Sequence, residues 1–195
     1  MTNATRLTLL DDLRDGSAEA WIDADSLYRP MIKGWLSRFM LQASDVDDIA
    51  QDVMAALVGQ LPSFQHSGRT GAFRNWLRTT TVNAMRNCVR KKRGIGNAAY
   101  HSLDQSIGEL DDPNSHLSRE FDLQHTRWLV HHLLQRIESE FQSQTLAIFQ
   151  MHVVEGVSVP DTANRLGVSQ ANVHTAKSRV LRRLRSYGGE ALEML

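Results

Sequence analysis

The chain has 195 residues, a formal net charge of zero and 42% hydrophobic residues, which is enough for one large or two small domains with buried cores. No apolar run is long enough to span a membrane and the first residues show no signal-peptide pattern, so the cytoplasm is the expected location. Cys88 is the single cysteine, which excludes an intrachain disulfide and a cysteine-based zinc site.

The zero net charge conceals a strong segregation of charge along the chain. Residues 1–68 carry 5 basic and 10 acidic side chains, whereas residues 69–93 carry 8 basic side chains and no acidic ones. Residues 94–161 carry 3 basic and 10 acidic side chains, and residues 162–195 carry 6 and 2. This alternation predicts two kinds of partner surface, one for phosphate and one for basic protein.

Helical periodicity recurs throughout the sequence and only four prolines interrupt it, so we predict an all-α fold of eight or nine helices. The first predicted helices are 5–14, 18–28 and 31–41. A helix over 45–60 follows, for which Ser44 and Asp47 resemble a capping box. Residues 62–71 are polar and predict a loop.

The next predicted helix, 72–92, is basic throughout. Its expected buried side consists of Phe73, Leu77, Thr80, Ala84 and Cys88. The opposite arc carries mainly amide and cationic side chains that can bind phosphates and base edges, namely Asn75, Thr79, Val82, Asn83, Arg86 and Arg90. Phe73 is expected to pack in the core, whereas packing and contact with an unpaired base both remain open for Trp76.

Residues 94–117 are rich in Gly, Asn, Ser, Pro and acids, which predicts a flexible linker. The chain is therefore expected to form two helical domains, 1–93 and 118–195, with further helices over 118–139 and 142–155.

The last predicted elements form a helix-turn-helix. Ser158 and Asp161 can cap a short helix that ends at Gly167, and Ser169 can cap the following one. The second helix has an apolar stripe of Val173, Ala176, Val180 and Leu184. Its other faces are polar and basic, which suits a DNA major groove.

Together these features resemble the sigma-70 family of bacterial transcription initiation factors, and more narrowly its small extracytoplasmic-function subgroup, which keeps only regions 2 and 4. Residues 47–53 (DDIAQDV) resemble region 2.2. Residues 71–93 resemble regions 2.3 and 2.4, and residues 155–185 resemble region 4.2. The three matches follow the family's order across nearly the whole chain.

The resemblance implies a non-catalytic subunit that binds core RNA polymerase and directs promoter-specific initiation without a cofactor or metal. The residues implied to dock onto the β′ clamp are Asp45, Asp47, Asp48, Gln51 and Asp52. Those implied to contact the −10 promoter element are Arg74, Trp76, Arg78, Asn83, Arg86, Asn87 and Arg90. Those implied to read the −35 element are Gln170, Asn172, His174, Thr175, Ser178, Arg179 and Arg182. Further implied partners are the β flap and an anti-sigma factor or other regulator, and the 62–71 loop would receive a flipped base.

Two departures from the family pattern leave the −35 sequence open. His174 stands where a basic residue is common, and Ala176 replaces a frequent arginine.

Parts of the sequence are also compatible with two other function classes. A stand-alone helix-turn-helix regulator would use residues 162–185 but leaves the second basic helix unexplained. An all-helical enzyme could bind Mg²⁺ through Asp47, Asp48 and Asp52, but the sequence offers no convincing second acidic cluster facing them. His125, His131 and His132 lack a carboxylate at the spacing that a metal site needs.

Overall fold

A computed structural model describes residues 13, 17–39, 41–61, 64, 71–92 and 98–188. Within these ranges the regular structure is helical and no strand occurs, which confirms the predicted all-α class. The predicted helix 5–14 and most of the predicted loop 62–71 lie outside the described residues. No helix in the described ranges combines the length and the apolar character needed to cross a membrane.

Helix α1 (Ala18–Leu36) is one continuous helix where the sequence predicts two. The Ser17 Oγ caps it by accepting a hydrogen bond from the Ala20 N–H at 3.3 Å. Pro30 lies inside the helix, yet Tyr28 and Met31 are buried on either side of it. Packing of this continuous apolar face outweighs the hydrogen bond that a proline removes.

Helix α2 (Ala43–Gln60) starts before Ser44, so the predicted capping box does not form. The Asp47 carboxylate instead lies 2.6 Å from the Lys33 ammonium of α1. Helix α2 contacts both α1 and α3 (Ala72–Lys92). Its buried apolar residues, spaced by a helical repeat, are Val46, Ile49, Ala50, Val53, Met54 and Leu57.

Helix α4 (Ala98–Asp111) lies within the stretch predicted as a flexible linker. Leu103, Ile107 and Leu110 are spaced by four and three residues, and all three are buried against the common core. Helix α4 contacts α3. The faces of α3 differ from the prediction, because Val82 is buried rather than exposed and Thr81 is buried where Thr80 is expected.

Helix α5 (His116–Ile137) joins the two halves of the molecule because it contacts α1, α3 and α8. The Ser115 Oγ caps it by accepting from the Ser118 N–H at 3.0 Å. Phe121 packs edge-on against Trp35 of α1, with ring centroids 4.9 Å apart. One buried cluster therefore runs from α1 through α5 to Leu184 near the carboxyl terminus.

The remaining helices are α6 (Ser143–Phe149), α7 (Val159–Leu166) and α8 (Gln170–Gly188). A π-helical turn, Gln150–Val154, follows α6 within the predicted helix 142–155. A second, smaller core joins these helices through Ile148, Ala163, Val173 and Ala176.

Candidate nucleic-acid interface

The helix-turn-helix forms as its capping residues predict. The Ser158 Oγ accepts from the Asp161 N–H at 3.2 Å and donates to the Asp161 carboxylate at 2.6 Å. Gly167 ends α7 with φ +64°, a left-handed conformation that glycine adopts without steric cost. The Ser169 Oγ then accepts from the Asn172 N–H at 3.1 Å and caps α8. Local hydrogen bonds therefore determine how α8 leaves the turn.

Helix α8 separates an apolar stripe from a polar face. The four predicted stripe residues, Val173, Ala176, Val180 and Leu184, are all buried. The candidates for the −35 element are all exposed, namely Gln170, Asn172, His174, Thr175, Ser178, Arg179 and Arg182. A continuous exposed face of donors and cations on one helix has the form required for major-groove contact.

Helix α3 carries three asparagine–arginine pairs, each spaced by three residues. The Arg78 guanidinium donates to the Asn75 carbonyl oxygen at 2.6 Å, and the corresponding distances are 3.0 Å for Arg86 with Asn83 and 3.0 Å for Arg90 with Asn87. Each arginine thus orients a carboxamide by occupying its oxygen. The NH₂ groups of Asn83 and Asn87 remain as donors for acceptors on DNA.

Arg74 and Arg78, two of the candidates for the −10 element, are buried by α5. The Arg78 Nη1 donates to Asp122 Oδ1 at 2.9 Å, and only 6% of the Arg78 side chain is exposed. The Arg74 Nε lies 3.3 Å from Asp122 Oδ2, an ion pair without the alignment of a hydrogen bond. Gly71, just before α3, has φ +78°, a left-handed conformation that favours glycine.

Trp76 is partly buried between two phenylalanines. Its ring centroid lies 5.8 Å from that of Phe64 and 5.7 Å from that of Phe73, and Phe73 itself is fully buried as expected. Trp76 therefore has a packing role in the described structure, and its contact with a base stays a prediction.

The candidate docking residues of α2 are exposed with one exception. Asp48, Gln51 and Asp52 are exposed on one face of the helix. Asp45 is buried, and its Oδ1 lies 3.1 Å from the Lys92 ammonium at the end of α3. Asp47 is exposed and forms the ion pair with Lys33. The candidate docking residues that α2 presents to solvent are thus Asp47, Asp48, Gln51 and Asp52.

His125 lies among aromatic rings and has the form of a core residue. Its imidazole stacks against Tyr28 at a centroid distance of 6.1 Å, and burial, together with the nearby Arg74, lowers the pKa of His125 to about 3. Burial also raises the pKa of Tyr28. In the described part of the chain no group of three His, Cys, Asp or Glu side chains is arranged for a metal ion.

Sequence reasoning missed the acids that meet α3. Asp122 contacts Arg74 and Arg78, and Asp111 forms an ion pair with Arg86. The helical spacing of Leu103, Ile107 and Leu110 was the signal for α4, and it was obscured by the polar residues around it. No local pattern identifies the partner of Asp122, because Arg78 is 44 residues away in the sequence.

Two family models match the chain. The model of Sigma-70 region 2 covers residues 26–95, and the model of Sigma-70 region 4 covers residues 143–184. The chain belongs to the sigma-70 family. The sigma factor is also similar to "RNA polymerase sigma factor CarQ" of Myxococcus xanthus, with 24% identity over 185 residues, which are 93% of this chain and 96% of the relative.

These matches place the sigma factor in the extracytoplasmic-function subgroup and establish it as an RNA polymerase sigma factor rather than a stand-alone regulator. It binds core RNA polymerase and promoter DNA, and proteins of this kind are typically initiation factors without enzymatic activity. Region 2 contains α2 and α3, and region 4 contains α6, α7 and α8. Helices α4 and α5 lie between the two matches.

Proposed function

We propose that α2 docks the sigma factor onto the β′ clamp of core RNA polymerase through Asp47, Asp48, Gln51 and Asp52. The support is the exposed acidic face that these side chains form, which is suited to a basic protein surface. Asp45 contributes through its contact with Lys92, which connects the start of α2 to the end of α3. The docking face and the basic helix are thereby held in one orientation.

Helix α3 recognises the −10 element in this proposal. Asn83 and Asn87 present amide donors oriented by Arg86 and Arg90, while Arg90 is exposed for phosphate contact. Arg74, Arg78 and Trp76 complete the set at the amino-terminal end of α3. The neighbouring residues 62–71 receive a base flipped out of the duplex, which offsets a few kcal/mol of unpairing.

Helix α8 reads the −35 element. This assignment is supported by the exposed amino-terminal half of α8. His174, Thr175, Ser178 and Arg179 lie there on the side opposite the buried stripe. Region 4 contacts the β flap of the polymerase and thereby places α8 upstream of α3. Once both regions are held by the polymerase, two weak DNA contacts act as one selective interaction through their effective concentration.

The remaining parts of the proposal concern regulation and location. An anti-sigma factor or another regulatory protein controls access to the docking surfaces, and the sigma factor acts in the cytoplasm, where core polymerase is found.

The observation that carries the proposal is the pairing of one exposed acidic face with two basic helices. Its test is the variant D48K/D52K, compared with E19K/E138K, which makes the same charge change at two exposed acids elsewhere. Close charge pairs across an interface are worth roughly 1.5 kcal/mol or more. We therefore expect affinity for core polymerase to fall at least about tenfold in D48K/D52K and to stay unchanged in E19K/E138K.

Co-purification with core polymerase and titration of a labelled sigma factor measure this affinity, and circular dichroism checks the fold. Equal affinities of the two variants would remove α2 as the docking surface.

A further inference from the structure

Helices α4 and α5, residues 98–137, are here called the arm. The arm places carboxylates on the same arginines that the proposed function assigns to DNA. Asp122 of α5 lies between Arg74 and Arg78, and Asp111 at the end of α4 lies against Arg86. An aspartate offers two anionic oxygens in the geometry that a guanidinium uses for carboxylate and phosphate alike.

The arm also narrows access to the carboxyl-terminal half of α3. Asp104 and Ile107 of α4 line one side of a groove whose other side is Arg86, Val89 and Arg90. Val89 is buried there, and Arg86 is only partly exposed. A duplex approaching this side of α3 therefore meets one further carboxylate, Asp104, in addition to Asp111.

The contact between the arm and region 2 contains buried polar groups without hydrogen-bond partners. Among the described residues, His125 of α5 has no hydrogen-bond partner on either ring nitrogen, and the Tyr28 hydroxyl beside it has none. Each such buried polar group is less favourable than the same group hydrated in water. Hydration of these groups therefore offsets part of the apolar contact that is lost when the arm moves away from α3.

We propose that Asp111 and Asp122 occupy phosphate positions on α3, so that the free chain masks its own −10 surface and DNA gains that surface only by displacing the arm. This inference rests on the proposed role of α3 in DNA binding. It assigns a function to α4 and α5, which lie between the two family matches and are covered by neither of them. Binding of DNA and closure of the arm are then competing states of one surface.

The test compares D111N/D122N with D112N/E120Q, both in the full-length chain without polymerase. Both variants remove two negative charges from the arm, but Glu120 pairs with Arg38 and not with an arginine of α3, and Asp112 caps the turn at Asn114. Anisotropy of a short fluorescein-labelled DNA duplex of mixed sequence reports affinity, because phosphate contacts do not require the promoter sequence.

We expect D111N/D122N to bind the duplex at least about fivefold more tightly than D112N/E120Q, since release of one pair worth about 1 kcal/mol is a change of that size. Equal affinities of the two variants would overturn the proposal. D111N, at a side chain that is 54% exposed, compared with D112N gives a matched single-charge comparison that does not disturb the buried pair.

A second readout uses the wild-type chain. If DNA displaces the arm, adding the duplex accelerates amide hydrogen exchange in α5, because competing states are linked reciprocally. Unchanged or slower exchange in α5 at saturating duplex would contradict the proposal.

Promoter-directed transcription with core polymerase distinguishes a failure of the proposed function from a failure of the masking hypothesis. A wild-type chain that fails to direct initiation contradicts the proposed function, whatever the duplex affinities are. Normal initiation together with equal affinities of the two arm variants contradicts the masking alone.

Discussion

Two helices with the same predicted role, α3 and α8, meet different surroundings in the folded chain. Every −35 candidate on α8 is exposed, whereas Arg74 and Arg78 on α3 are buried against Asp122 and Arg86 is paired with Asp111. Both helices are basic and both carry amides. The difference shows that a basic pattern predicts affinity for phosphate but does not tell which anion occupies the arginines in the folded protein.

The largest expected effect concerns the buried side of this comparison. Asp122→Ala leaves Arg74 and Arg78 without their carboxylate, and breaking a buried ion pair in this way costs about 3–5 kcal/mol. Chemical denaturation measures the loss. Asp25→Ala removes the exposed pair with Arg29 and should cost only about 0.3–0.5 kcal/mol. A similar small loss for both variants would mean that α5 does not depend on this contact.

A smaller effect is expected on the exposed side. Arg179→Ala should weaken recognition of the −35 element by about 1–3 kcal/mol if the guanidinium contacts a base, with the free energy of unfolding changed by less than about 0.5 kcal/mol. Run-off transcription on promoters that differ only at −35 measures selectivity. Unchanged selectivity would exclude Arg179 from base readout and leave α8 as a backbone-binding helix.

The third effect is a pH dependence on the α3–α5 side. Burial lowers the pKa of His125 to about 3, so the unfolded chain binds a proton below about pH 6.5 that the folded chain does not bind. Stability therefore falls as the pH decreases, by about 1 kcal/mol over the first unit below pH 6.5.

His125→Leu should reduce this dependence because leucine does not titrate; a smaller part remains from His132, whose pKa burial also lowers. His131→Asn, at an exposed position of the same helix, should leave the dependence unchanged. Thermal melts between neutral pH and pH 5 compare the variants. An equal slope in His125→Leu and the wild type would refute the neutral, buried state of His125.

Much of the fold follows from local signals. The apolar stripe of α8, the caps at Ser158 and Ser169 and the turn at Gly167 all depend on residues within a few positions of each other, so sequence spacing predicts them. The order of region 2.2, region 2.4 and region 4.2 motifs likewise indicates the family, and the comparisons confirm it.

The errors have a common cause, because each depends on what a distant segment covers. Val82 is predicted on the exposed arc of α3, but it is buried in the common core to which α4 also contributes. Asp45 is predicted to dock onto the polymerase together with the other acids of α2. It is instead buried, and its carboxylate pairs with the Lys92 ammonium at the end of α3. Helical periodicity assigns residues to a face but does not identify the neighbour of that face.

By itself, the sequence determined the all-α class, the helix-turn-helix, the segregation of charge and the family, since these depend on periodicity, capping and motif order. Only the tertiary structure decided that α4 and α5 bring Asp111 and Asp122 onto the arginines of α3. Burial of apolar residues such as Leu103 and Phe121 positions these helices, and the ion pairs follow from that packing. Contacts of this kind join residues dozens of positions apart, and no local pattern encodes them.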